Sequence, residues 1–239
     1  MLIKLAWRNI WRNKRRTYIT AASIVFAVLL AILMNSVKEG VLIRLQENVV
    51  SFYTGAIQVH QNGYWEEQSL NNSFVESDSL ISKILEHPEV NQVIGRIESF
   101  ALAASQDYTK GCMVVGIEPN KESHVTGLNE KVTKGSYLTE NDQSVLLAEG
   151  LASYLKLGVG DTIVIIGQGY HGISAAGKYP IKGLLHFASP DLNKSMIYLS
   201  KSHAQYLFGA PKRLTALVLD IDQVDHAENI QQELSAMLS

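Results

Sequence analysis

Residues 17–37 form a run of 21 without a charged side chain, and the centre of that run, 24–34, is almost wholly aliphatic. A helix of about 20 such residues, rising 1.5 Å each, spans the ~30 Å hydrocarbon core of a bilayer. This segment restricts the fold more than any other, because in lipid each backbone N–H and C=O must be satisfied within the segment itself. A cleaved signal peptide also sets a basic end before an apolar run. That run is usually about 7–15 residues long and closes on a small-residue cleavage site. Here the run is longer, and residues 35–40 offer no convincing small-x-small pattern. The segment therefore reads as an uncleaved transmembrane helix over 17–37.

Charge then orients it. Residues 1–16 hold six of the 21 Lys and Arg and none of the 23 Asp and Glu. The positive-inside rule places this tip in the cytoplasm and 38–239 on the far side of the membrane. Beyond the tip, 15 basic residues face 23 acidic ones, an excess of negative charge that argues against nucleic acid as a partner. Within the tip, WRNI at 7–10 is followed by WRNK at 11–14, so Trp7 and Trp11 share one helical stripe and Arg8 and Arg12 another. This predicts a cytoplasmic amphipathic helix in the membrane interface. Its indoles would sit at headgroup depth, with Arg8, Arg12, Lys14, Arg15 and Arg16 near anionic lipid. A merely basic stop signal for insertion is the plainer alternative.

The helical pattern continues past the membrane. Val37, Val41, Leu45 and Val49 recur at four-residue spacing, while Lys38, Glu39, Arg44 and Glu47 occupy other faces. A stalk helix over 38–53 is expected, with Gly40 as a candidate kink, and about 25 Å of it would project beyond the lipid. Its apolar stripe needs a cover. That cover is either a lipid path for substrate or the C-terminal helix, through Ile230, Leu234 and Leu238.

The remainder reads as mixed α and β. Expected strands are 56–60, 90–104 with a break at Gly95, 112–117, 144–148, 162–166, 179–187, 195–199 and 214–220. Expected helices are 79–86, 149–157, 201–208 and 224–238, the last capped and charged by Asp222 and Asp225. Cys112, the single cysteine, lies in an apolar run and reads as a core residue. Searches for chemistry return little. Gly167, Gly169 and Gly172 fit GxGxxG, but no amphipathic helix follows, so a flexible turn is expected. No phosphate-loop pattern is present, Ser174 has no nucleophile elbow, and the seven histidines lack metal-ligand spacing. No catalytic, cofactor-binding or metal residue is assigned.

Three segments together carry a resemblance: LAWRNIWRNKRRT at 5–17 with the helix directly after it, VLLAEGLASYLKLGVGDTIVI at 145–165, and GIEPNKES at 116–123. In these the chain resembles the MacB/FtsX-like permeases, closest to the lipoprotein-releasing (LolC/LolE-type) branch. The resemblance implies an α+β ectodomain on a single N-terminal transmembrane helix. That ectodomain would have a Porter-like α/β lobe at about 54–118 with 190–239, and an inserted, mainly β lobe at about 119–189. It also implies ATP bound by a separate ABC ATPase subunit, a second permease copy or paralogue, contact with membrane lipid, a lipoprotein substrate and a periplasmic acceptor. Permeases of this kind convert cytoplasmic ATP hydrolysis into movement of the periplasmic domain, and pass no substrate through a central pore. The family's second to fourth helices are absent, so a fragment or a truncated gene is expected. Against the transporter stand a MacB-like drug or peptide efflux permease and a single-span sensor or binding ectodomain.

Overall fold

The structure, a computed structural model, describes residues 7, 11–49, 55, 57–223 and 226–238, with the backbone alone for 41–49 and 238. It divides into two units, Met1–Glu47 and Asn48–Ser239.

In the first, helix α1 runs over Lys14–Val49. No Pro or Gly interrupts it before Gly40, and Ala21, Ala22, Ala27, Leu29, Leu30 and Ala31 are strong helix formers among its β-branched residues. The backbone passes Gly40 without leaving the helix. Its 36 residues correspond to about 54 Å. The section Lys14–Gly40 is long and apolar enough to cross a membrane, and Ile24, Phe26, Leu29, Leu33 and Met34 are all exposed. A helix apolar on every side needs lipid or protein around it.

The second unit begins with β1 (Ile57–Val59), a short α2 (Tyr64–Glu67), a 3-10 turn at Leu70–Asn72 and β2 (Phe74–Val75). Helix α3 (Asp78–Leu85) precedes the long β3 (Val90–Ala104), which turns back as β4 (Thr109–Ile117). Next come α4 (Pro119–Thr126), a 3-10 turn at Leu128–Lys131, β5 (Val132–Gly135), β6 (Val145–Ala148) and α5 (Glu149–Leu155). The hairpin β7 (Thr162–Gln168) and β8 (Ser174–Leu185) leads to α6 (Pro190–Asn193), β9 (Met196–Ser200) and α7 (Lys201–Leu207). The chain then runs through β10 (Arg213–Leu214), β11 (Ala216–Ile221) and α8 (Ala227–Leu238).

The main sheet has the order β1-β11-β3-β4-β9-β6-β8-β5, and β7 pairs with both β3 and β8. The path β3-β4-β9-β6-β8-β7 therefore returns to β3, closing a six-stranded barrel. Register decides what fills it. Ala101 and Ala103 pair with Gly167 and Ile165 on one side and with Cys112 and Lys110 on the other. With Val114, Ile163 and Ala175 they belong to one buried core. The alternate positions Phe100, Leu102 and Ile166 face outward and are exposed, the period-2 pattern of a barrel wall. Helix α5 follows β6 and α7 follows β9. Because those strands run antiparallel, the two helices lie at opposite ends of the barrel. Leu151, Ala152 and Leu155 of α5, and Ala204 and Leu207 of α7, are buried in its core.

A smaller core collects Ile57, Val93, Leu217 and Leu219 from β1, β3 and β11 with Ile84 of α3 and Ile230 and Leu234 of α8. Strand β3 joins the two cores, pairing with β11 in its first half and with β4 and β7 in its second. The expected break at Gly95 does not occur. A Cβ there would stand 2.7 Å from Leu214 Cδ1, so glycine serves close packing rather than interruption. Helix α8 begins at Ala227, too far along for Asp222 to cap it, and Asp222 accepts instead from Asn91 Nδ2 at 2.7 Å. Asp225 lies outside the described residues.

Candidate functional site

Of the residues singled out at the tip, Trp7, Trp11, Arg12, Lys14, Arg15 and Arg16 are described and exposed, and Arg8 lies outside the described residues. Trp7 and Trp11 are brought together, their ring centroids 6.0 Å apart, and Trp11 meets the edge of Tyr18 at 6.2 Å. Three aromatic rings thus continue one another across the start of α1, beside a run of cations. The hydroxyls that enter the apolar section are satisfied locally. Thr17 and Thr20 donate to the carbonyls of Asn13 and Arg16 at 3.3 and 3.0 Å, and Ser23 donates to that of Ile19 at 2.9 Å. Such back-bonding removes the cost of carrying these groups into hydrocarbon. On the stalk, Val37 is exposed. The backbone of Val41, Leu45 and Val49 is helical, and their side chains lie outside the described residues.

The ectodomain buries charge, but as structure. Arg96 is fully enclosed, and its guanidinium forks onto Glu122, with Nε 3.0 Å from Oε2. Thr126 donates to the same carboxylate at 3.0 Å, and Glu98 lies 3.8 Å from Arg96 Nη1. Nearby, Lys201 of α7 bridges Glu76 and Glu118, each at 2.8 Å. Burial alone would raise the Glu118 carboxyl, but Lys121 and Lys201 outweigh it and hold it below the ordinary range. These pairs tie β3, α4 and α7 together.

The GxGxxG segment is the β7–β8 turn, and it is tied down rather than flexible. Tyr170 N–H donates to the Phe208 carbonyl at 2.9 Å, His171 N–H donates to Asn71 Oδ1 at 2.9 Å, and Arg213 lies 4.3 Å from the centre of the Tyr170 ring. Three of the histidines each meet one carboxylate: His87 with Glu233, His186 with Glu149 and His226 with Glu89. Among the described residues no group of three or more His, Cys, Asp or Glu is arranged to hold a metal ion. Cys112 is buried, with its thiol 3.4 Å from the Ala101 carbonyl, and burial pushes its pKa up to about 12.

A groove of about 860 Å³ opens between α7 and the first half of β8. Its lining comes from residue 143, residues 173–180 and residues 202–207. Those stretches share no motif spacing, so only the closed sheet brings them together.

Residues 17–237 match the MacB-like periplasmic core domain. The chain belongs to that family. Among curated relatives it is 24% identical over 160 residues to the lipoprotein-releasing system transmembrane protein LolC of Xylella fastidiosa, in strains Temecula1 and 9a5c alike. That stretch covers 64% of this chain and 38% of LolC, so the chain spans less than two fifths of the relatives it matches. Among solved structures, the extracellular domain of the noncanonic ABC-type transporter YknZ from Gram-positive bacteria aligns with a TM-score of 0.50 at 15% identity. It covers 72% of this chain and 86% of the other. The periplasmic region of MacB from Actinobacillus actinomycetemcomitans aligns with the same score at 14% identity, over 75% and 82%. At these identities the likeness is one of fold, and the MacB-like domain described above is that fold.

Proposed function

We infer that the chain is the N-terminal part of the permease subunit of a mechanotransmission-type ABC transporter. It moves lipoproteins or other amphiphiles out of the inner membrane while a separate subunit hydrolyses ATP. The observation that carries this reading is a helix long and apolar enough to cross a membrane in a chain whose residues 17–237 match the MacB-like periplasmic core domain. One unbroken helix contains the apolar section Lys14–Gly40 and runs on to Val49. Lipoprotein as cargo rests on the LolC relatives.

In this reading residues 1–16 are cytoplasmic and 38–239 periplasmic. The periplasmic part divides into a Porter-like lobe, about 54–118 with 190–239, and an inserted lobe, about 119–189. Val37, Val41, Leu45 and Val49 flank the route of the departing acyl chains, and Trp7, Arg8, Trp11, Arg12, Lys14, Arg15 and Arg16 fix the tip at the cytoplasmic interface. The partners are an ABC ATPase, a second permease copy or paralogue, membrane lipid and a periplasmic acceptor. Purifying the tagged protein from its native host in mild detergent should bring down an ATPase carrying a Walker A motif. A protein that purifies without one, from a genome with no such gene beside its own, would instead favour a single-span sensor.

A further inference from the structure

The groove between α7 and β8 differs in charge from the domain that carries it. Its polar lining includes Lys178, His203, Gln143, Ser202 and the phenols of Tyr179 and Tyr206. Among the described residues no Asp or Glu lines it, although acidic residues outnumber basic ones across the chain beyond the tip. The nearest carboxylate in sequence, Asp142, is engaged elsewhere: it pairs with Lys182 and accepts from Thr139 N–H at 2.6 Å. Lys178 has no ion-pair partner among the described residues, which leaves one uncompensated cation in a wall of hydrogen-bond donors.

Apart from Ser174, the rest of the lining is apolar. Ile173, Pro180 and Leu207 contribute aliphatic surface. Tyr179 lies along its own strand across Gly177, where a Cβ would come within 2.6 Å of the ring, so a side chain at 177 would displace it. Burial raises the pKa of the Tyr179 phenol, and the charge of the Tyr206 phenol adds to the rise. Tyr206 itself is 84% exposed, a large aromatic face open to solvent among the described residues. A volume of about 860 Å³ lies in the range of small-molecule sites, which are mostly apolar with a few placed polar groups.

We propose that this groove binds a small organic anion with a planar apolar body, its charge held by Lys178 and the hydroxyls and its body stacked on Tyr206. The site belongs to the ectodomain alone and stands whether or not the chain transports lipoprotein. It can be tested on the full chain in lipid nanodiscs by equilibrium dialysis, with empty discs as the blank. The probe is naphthalene-2-carboxylate and its neutral comparator is 2-naphthamide. The carboxylate should bind at least fivefold more tightly than the amide. Lys178→Gln should abolish that preference, Tyr206→Ala should weaken both ligands at least fivefold, and Tyr206→Phe should retain them. Because Tyr206 is so exposed, its variants should melt at the wild-type temperature, which separates lost binding from lost folding. Equal binding of amide and carboxylate would overturn the anion assignment. Wild-type binding by both Lys178→Gln and Tyr206→Ala would move the ligand to another surface, such as the exposed Phe100, Leu102 and Ile166, and end the proposal. So would no binding above the empty discs.

Discussion

Arg96 sits on β3 where the strand passes from the smaller core to the barrel, and it is buried. A buried cation there is tolerable because Glu122 receives it in a two-point fork and Glu98 stands behind. Removing one partner from such a group is more damaging than never having had it, since the remaining charge stays in a dry interior. Arg96→Met should therefore destabilise the ectodomain by about 3–5 kcal/mol, seen as a fall of roughly 10 °C in its melting temperature by circular dichroism. Arg96→Met with Glu122→Met should recover part of that loss. A single variant melting within 2 °C of wild type would show that the cluster contributes nothing. Neither role was legible in the sequence, where Arg96 lies between Gly95 and Ile97 with no partner at helical or strand spacing. The pairing with Glu122 depends on α4, whose polar sequence PNKESHVT carries no apolar periodicity to announce a helix. Cys112 was legible, because an apolar neighbourhood is itself the evidence for burial.

Elements with a strong period were read well, and those fixed by pairing were not. The apolar run at 145–148 and the amphipathic pattern of α8 appear in the fold within a few residues of their expected bounds. Strand β8 was expected from 179 and begins at Ser174, because Ser-Ala-Ala-Gly has little strand propensity and is held by its ladder to β7. Barrel closure rests on four residue pairs between β3 and β7, a contact no local pattern encodes. Helix α1, expected over 17–53, runs over Lys14–Val49 and passes Gly40 as helix, while 50–53 lie outside the described residues. Its stripe at Val37, Val41, Leu45 and Val49 had α8 as one expected cover, yet Ile230 and Leu234 are already buried in the ectodomain's own smaller core. We propose lipid or substrate as the cover. Val41→Asp and Leu45→Asp should then retain lipoprotein in the inner-membrane fraction, while ATPase co-purification and the melting temperature stay at wild-type values. A drop of several degrees in melting temperature would instead mark the stripe as packed, as burial of an unpaired carboxylate requires.

At the scale of the whole molecule, function depends on which side of the membrane carries the ectodomain. The asymmetry of six cations against no carboxylate before the apolar section argues for a cytoplasmic tip, and thiol chemistry offers a clean test. Cys112 is the chain's only thiol and is buried; with its pKa pushed up to about 12, it stays protonated throughout the pH range used for labelling. The thiolate is the nucleophile, so native protein should be silent toward a membrane-impermeant maleimide at pH 7.5, and raising the pH to 9 should not unmask it. A cysteine placed at Glu66, an exposed position on α2, carries no such protection. In intact cells with a permeabilised outer membrane, Glu66→Cys should label to completion, and lysis should add nothing. A cysteine substituted for Arg16, at the basic end of α1, should behave in the opposite sense, reacting after lysis alone. Reversal of this pair, with position 16 accessible from outside and position 66 protected until lysis, would place the ectodomain in the cytoplasm. An ectodomain there could not serve a transporter that delivers cargo to a periplasmic acceptor, so the same two cysteines test the orientation and the proposed function together.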